Sequence, residues 1–323
     1  MNYRSMAAAL FGLTGLLGPA PASAQEYPVR PVHLVVPFPP GGGVDTLARI
    51  VAPKLQASLG QAFIVENKSG AAGTIGVDYV AKAPPDGYAI VVGSPGNMSV
   101  APSLNPKLPY KPLTDFAPIA MGVRIPTLLV VHPSFPAGTV QELIAVAKAS
   151  PGKYNFSSGG QGTALHLAGE LFKIQAGIDI RHIPYKGTSP AITDLLAGQV
   201  NMMFSDPSVL QHVKAGKLRL LAQTTAARAA SLPDVPTIAE SGVPGYSAAN
   251  WYGFFAPAGT PPAVVQKLNG AFVRALQQPD VIAVLRNGGM DVAPSSAAEL
   301  GAFLKEDIER WAAVVKQAGI ENN

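Results

Sequence analysis

Short apolar runs rich in Val and Ile alternate with amphipathic helical patterns along this sequence, and that alternation restricts the fold more than any other feature. Residues 33–38 (HLVVPF), 63–66 and 89–93 (AIVVG) read as buried strands. Between them Val44, Leu47, Ala48, Val51 and Leu55 recur at helical spacing, and residues 74–82 form a second helix. A β-α-β-α-β order implies parallel pairing with helices laid over the sheet, an α/β layer architecture. The same order restarts at 128–131, with a helix at 140–149, a strand at 154–157, a helix at 164–175 and strand-like runs up to 218–222. A strand-like segment at 251–256 and helices at 262–276 and near 281–285 follow. The final helix carries Leu300, Phe303, Leu304, Ile308, Trp311, Val314 and Val315 on one stripe.

A chain of 323 residues has room for two domains of roughly 150 residues each. Segments 122–131 and 250–256 are extended, partly apolar and flanked by Pro and Gly, so they read as joints. A chain that crosses at both makes one lobe of 25–125 plus 251–323 and another of 126–250. Two interleaved α/β lobes joined by two crossings form a hinged clamshell, as in periplasmic binding proteins. The alternative is two sequential domains meeting near 125. The final helix separates the two readings, since the clamshell returns it to the first lobe.

The start of the chain reads as an address. Arg4 precedes the apolar run 7–17 (AAALFGLTGLL), which falls short of the ~20 residues that span a bilayer. Ala22 and Ala24 form a small-residue cleavage pattern, so residues 1–24 are expected to be a signal peptide cut after Ala24, leaving an exported, periplasmic protein. The absence of Cys suits an oxidising compartment and excludes disulfide scaffolds, thiolate metal sites and cysteine nucleophiles. Twenty-four Lys and Arg stand against 20 Asp and Glu with no basic block, which argues against a nucleic-acid partner.

The strongest local feature is Pro37-Phe-Pro-Pro-Gly-Gly-Gly-Val-Asp45, a strand that runs through prolines and glycines into a helix. Prolines stiffen the exit, and glycines let the backbone turn so that several N–H groups face one spot. At a helix N-terminus this is a cradle for a carboxylate or phosphate; the alternative is a tight β-α turn and nothing more. The loop lacks the Gly-Lys-Ser/Thr ending of a P-loop, and Thr46 breaks the dinucleotide pattern. Asp45 is expected to cap the helix or pair with Arg49 at i,i+4. Ser157-Ser-Gly-Gly-Gln-Gly-Thr163 repeats the design in the other half, so two cradles without Arg or Lys can face one molecule. A third exit, Gly93-Ser-Pro-Gly-Asn97, offers Ser94 and Asn97 beside the first cradle. Asp206, at the end of a strand, either accepts from a ligand or caps a turn.

Catalytic readings are weaker. His166 and Glu170 share a helical face at i,i+4, but a zinc site needs at least three ligands and no further cluster presents itself. His33, His132, His182 and His212 are scattered, and no nucleophile elbow appears. No cofactor, metal or catalytic group is expected. Tyr185, Trp251 and Tyr252 lie near the joints, where they line a cleft or fill the core.

These motifs, taken together, resemble a known family. Tyr27-Pro-Val-Arg-Pro, the run from Val36 to Arg49, Asn67-Lys-Ser-Gly-Ala-Ala-Gly73, Pro85-Asp-Gly-Tyr88, the run from Ser158 to Glu170, Ile183-Pro-Tyr-Lys-Gly187 and Pro257-Ala-Gly-Thr-Pro261 occur in order. The chain is similar in this to the solute-binding receptors of tripartite tricarboxylate transporters, the Bug family. The resemblance implies a two-lobed Venus-flytrap fold that closes on a small organic acid without catalysis. It implies that Phe38, Pro39, Gly41 and Gly42 in one loop, and Ser158, Gly160, Gly162 and Thr163 in the other, hold a ligand carboxylate, largely through backbone groups and water. The far end of the ligand would meet Ser94, Asn97 and the segment around Asp206. Family members often carry Asp directly after the strand-ending Phe, whereas this chain has Phe204-Ser205-Asp206, so either Ser205 or Asp206 faces the ligand. The implied partners are the small carboxylate and the membrane subunits of such a transporter, or a sensor, with the receptor itself a monomer.

Overall fold

The computed structural model describes residues 27–185 and 187–320. The expected leader, 1–24, and its cleavage point lie outside the described residues. The chain begins β1 (Val32–Val36), α1 (Gly43–Leu59), β2 (Phe63–Asn67), α2 (Thr74–Ala81), β3 (Ala89–Gly93), α3 (Ala101–Leu104) and β4 (Phe116–Ile125). It continues with β5 (Leu128–Val131), α4 (Val140–Ala149), β6 (Asn155–Ser158), α5 (Ala164–Ala176), β7 (Arg181–Pro184), α6 (Thr188–Leu196), β8 (Met202–Ser205), α7 (Leu210–Lys214) and β9 (Arg219–Gln223). It ends with β10 (Asn250–Pro257), α8 (Pro262–Leu276), α9 (Pro279–Asn287), β11 (Asp291–Val292) and α10 (Ala297–Ala318).

Two sheets result, one in each lobe. The first has the order β11-β4-β10-β3-β1-β2 and the second β7-β6-β8-β5-β9. Strand β1 pairs in parallel with β2 and β3, as the alternation requires. Strand β10 runs antiparallel to both β3 and β4, and β5 antiparallel to both β8 and β9. In the first sheet β10 and β11 run against the other strands, and in the second β5 does; β5 follows β4 after two intervening residues, and β10 brings the chain back, so both crossings feed a reversed strand. The fold is thus α/β with two lobes and two crossings.

Strand alternation sends side chains to opposite faces, and both faces of each sheet are covered. In the first lobe Leu34 and Val36 pack with Leu47, Val51, Phe254 and Phe272 on one face, while Val35, Val91, Trp251 and Phe255 fill the other. In the second, Leu129, Phe156, Phe172 and Phe204 lie on one face, and Leu128, Val130, Leu195 and Met203 on the other. Gly169 lets α5 come onto β6: a Cβ there would stand 2.1 Å from the Phe156 ring.

Helix α10 departs from the expected division. Its single stripe is shared between the lobes, with Leu300 and Leu304 in the first-lobe core beside Trp251, and Trp311, Val314 and Val315 in the second-lobe core beside Phe156. A 22-residue helix is about 33 Å long, enough to reach across both. Midway, Asp307 Oδ2 accepts from Trp251 Nε1 at 2.9 Å, and Arg310 bonds both Asp307 and, at 2.8 Å, the carbonyl of Ser247. Periodicity identifies the stripe but not which core each part enters.

Candidate functional site

The first loop is built by β1 ending at Val36 and α1 starting at Gly43. Gly41 turns it at φ +89°, a left-handed conformation that glycine adopts without strain. Asp45, 3% exposed, braces the turn: its Oδ2 accepts from Gly41 N–H at 2.9 Å and from Arg49 Nε at 2.8 Å. Asn67 Nδ2 completes the brace, donating to Asp45 Oδ1 at 2.9 Å and to the Phe38 carbonyl at 3.0 Å. The hydrogen bond from Arg49 above all, opposed by burial and helped by Gly41 and Asn67, lowers the Asp45 pKa to about 2. Asp45 therefore pairs with Arg49, one of the two expected roles, and its charge is turned away from the cleft toward these donors.

The second loop is held from behind. Ser158 Oγ lies 2.8 Å from His182 Nε2 and accepts from Gly160 N–H at 3.2 Å. Thr163 caps α5, its Oγ1 accepting from His166 N–H, and also donates to the Gly160 carbonyl at 2.8 Å. Gly162 N–H donates to His166 Nδ1 at 3.0 Å.

Between the two loops lies a cleft of about 1030 Å³. Phe38, Pro39, Gly42 and Ser94 line it from the first lobe, and Gly162 and Thr163 from the second. The first turns of three helices open onto it: Gly43 and Val44 of α1, Ala164 and Leu165 of α5, and Thr188 and Ser189 of α6. The leading N–H groups of a helix have no intrahelical acceptor and carry the positive end of its dipole. Among the described residues the lining holds no Lys, Arg, His, Asp or Glu. Among the described residues the cleft therefore offers peptide donors, a few hydroxyls, the carboxamides of Asn105, Gln161 and Asn250, and apolar surface, a chemistry suited to a small anion bound without an ion pair.

Other expected residues stand elsewhere. Asn97 is 1% exposed behind Ser94, whose N–H donates to Asn97 Oδ1 at 2.9 Å, in a π-helical turn over Pro95–Val100. Ser158 is fully buried, and neither it nor Gly160 lines the cleft; both shape the loop. Ser205 is also fully buried. It pairs with Leu128 and shares the strand face of Met203, which turns it into the second-lobe core instead of the cleft. Asp206 lines a second interlobe cavity of about 910 Å³, with Gly41, Lys214 and Arg286, and its Oδ1 caps the next turn by accepting from Ser208 N–H at 2.9 Å. Tyr252 borders both cavities. Burial first, then the Asp206 charge, pushes its pKa up to about 12, so its hydroxyl stays protonated.

The geometry of a cleft between two lobes agrees with similarity over nearly the whole chain. Residues 47–320 match the family described as tripartite tricarboxylate transporter family receptor. The chain belongs to this receptor family. The receptor is 40% identical over 302 residues to Protein BugT of Bordetella pertussis, a match that covers 93% of each chain. Among solved structures it is similar to Rpa4515 of R. palustris with adipate, at TM-score 0.79 and 39% identity, over 91% of this chain and 99% of that one. It is likewise similar to MatC of Rhodopseudomonas palustris with bound malate, at TM-score 0.75 and 36% identity, over 90% and 100%. The family is one of substrate-binding receptors, not enzymes.

Sequence reasoning overlooked part of this receptor's cleft. Thr188 and Ser189 follow a strand and Gly187, the same strand-glycine-helix exit as the two cradles, so the signal was present in weaker form. Ala71 and Ala72 also line the cleft, at φ +46° and +54°, left-handed values that are rare outside glycine and cluster at functional sites. Nothing in the residue type Ala announces that conformation. Of the aromatic candidates, Trp251 is core, while Tyr185 donates to Asp194 at 2.6 Å outside the cleft lining.

Proposed function

We propose that this protein is a periplasmic receptor that captures a small carboxylate between its lobes and presents it to the membrane subunits of a tripartite tricarboxylate-type transporter. The observation that carries this reading is the convergence of three helix N-termini on a cleft without charged side chains among the described residues. Each terminus is worth ~0.3–1 kcal/mol toward an anion, and up to ~2 when partly buried. Each hydrogen bond to the charged group adds ~1.5–3 kcal/mol, so four to six peptide donors hold a carboxylate without Arg.

In this reading the carboxylate sits against Phe38, Pro39, Gly42 and the first turn of α1, with Gly162, Thr163 and the first turns of α5 and α6 closing from the other side. Ser94 meets the far end. The lobes are 25–125 plus 251–323 and 126–250, with α10 spanning both, and the receptor acts as a monomer. The adipate- and malate-bound relatives support a carboxylate as the ligand class. The leader pattern and the family support the periplasm, with cleavage after Ala24.

Calorimetry of the purified protein against mono-, di- and tricarboxylates, aromatic ones included, tests this. Binding of at least one acid with a rise in melting temperature is expected. A flat titration across the panel with no thermal shift overturns it.

A further inference from the structure

The two histidines behind the second loop have no role in the reading above. His166 is 4% exposed, and its ring lies against that of His182, with centroids 3.8 Å apart and planes 18° apart. Each ring holds one end of the loop. His182 Nε2 meets Ser158 Oγ at 2.8 Å where β6 ends, and His166 Nδ1 accepts from Gly162 N–H at 3.0 Å just before α5 begins. The Gly162 donor fixes the tautomer, since a nitrogen that accepts from a peptide N–H carries no proton. The proton of the neutral ring is then on Nε2, which faces Glu170 Oε1 at 3.7 Å. Glu170 is held in turn by Lys173 Nζ at 2.8 Å.

Loop position matters because Gly162 lines the cleft and touches the other lobe. A Cβ on Gly162 would stand 2.8 Å from Leu104 Cδ1 of α3. Gly162 also sits at φ +74°, so the loop depends on this amide being satisfied in one orientation. We propose that His166 is a positioning residue for ligand capture: its Nδ1 anchors the Gly162 amide and fixes the second loop at the cleft, so that losing this acceptor loosens the loop and weakens binding.

The charged and titratable groups facing His166 are Glu170 and Lys173 on α5 and His182 on β7, while Phe156 of β6 presents an apolar ring. Burial first, and then the neighbouring His166, lowers the His182 pKa to about 3. Burial alone would raise the Glu170 carboxyl, but the neighbouring His166 and the hydrogen-bonded Lys173 bring it below its ordinary value.

The affinity change rests on the carboxylate-receptor reading; the loop anchoring does not, and the test separates them. Exchange of the Gly162 amide is followed by NMR on the full ligand-free protein as wild type, His166→Asn, which keeps an acceptor at the Nδ1 position, and His166→Leu, which removes it. Calorimetry with adipate and with malate is run in parallel. Near neutrality, wild type and His166→Asn should protect Gly162, and His166→Leu should lose about tenfold or more in both protection and affinity at an unchanged fold. Equal protection in His166→Leu, or loss of Gly162 protection in His166→Asn, overturns the proposal; the Asn variant decides it even where the Leu variant fails to fold. If the protection pattern holds but neither acid binds the wild type, loop anchoring stands and the coupling to these ligands fails. If binding is normal and Gly162 stays protected in every variant, the receptor reading stands and the role of His166 falls.

Discussion

The Tyr252 hydroxyl lies 3.0 Å from where a Cβ would stand on Gly43, with the ring edge at 3.2 Å. The hinge strand β10 thus places an aromatic ring directly against the first turn of α1, and the ring separates the two interlobe cavities. Gly43→Ala should displace that ring and reduce ligand affinity about tenfold, a cost of ~1.4 kcal/mol. Tyr252→Phe in the same chain removes the closest atom and should recover part of the loss. Calorimetry on the single and double variants checks the pair; independent, additive effects would sever it.

Gly42 offers the opposite case. Nothing lies within 4 Å of a Cβ there, and its φ of −80° suits any residue. Gly42→Glu should leave the melting temperature within a few degrees of wild type while abolishing carboxylate binding, because it sets a second anion in the cradle. Retained micromolar binding, about −8 kcal/mol, would remove Gly42 from the site.

Asp45 makes stability depend on acid. Its native pKa of about 2 lies below the ordinary carboxyl value, so its contribution is fully present above about pH 4 and is lost as pH falls through about 2. With the carboxylate buried but Arg49 half exposed, that contribution is about 1–2 kcal/mol. Urea denaturation should show Asp45→Asn less stable by this amount near neutrality, with the difference shrinking in strong acid. A difference that stays constant between pH 7 and pH 2 would assign the loss to shape instead of charge.

Gly169→Ala should destabilise the second lobe by about 1–3 kcal/mol, since α5 cannot stay at its present distance from Phe156. Chemical denaturation measures it, and Gly169→Ala combined with Phe156→Leu should recover part of the loss. A neutral Gly169→Ala would mean that α5 can move, and the second loop with it.

Much of this architecture is legible in the sequence. The period-2 and period-3.6 patterns that place Leu34, Val36, Leu47 and Val51 in one core are local, and so are the strand-glycine-helix exits that bring Phe38, Gly42, Gly162 and Thr163 to the cleft. What escaped depends on partners far along the chain. Ser205 was a candidate until its register against Leu128 turned it inward, and one residue of slip would have reversed that. The contacts of Ser158 with His182 and of Gly43 with Tyr252 join segments that no spacing rule connects. Helix α10 is the same lesson at larger scale: its stripe shows that it is buried, not that two cores share it.

That sharing has a consequence for the order in which the molecule comes into being. Trp311, Val314 and Val315 complete one core and Leu300 and Leu304 the other, so a growing chain lacks part of both until its last helix is made. Neither lobe can close its interior ahead of the other while synthesis is under way. The two interiors are thus completed by the same last segment, which ties the folding of each lobe to that of the other.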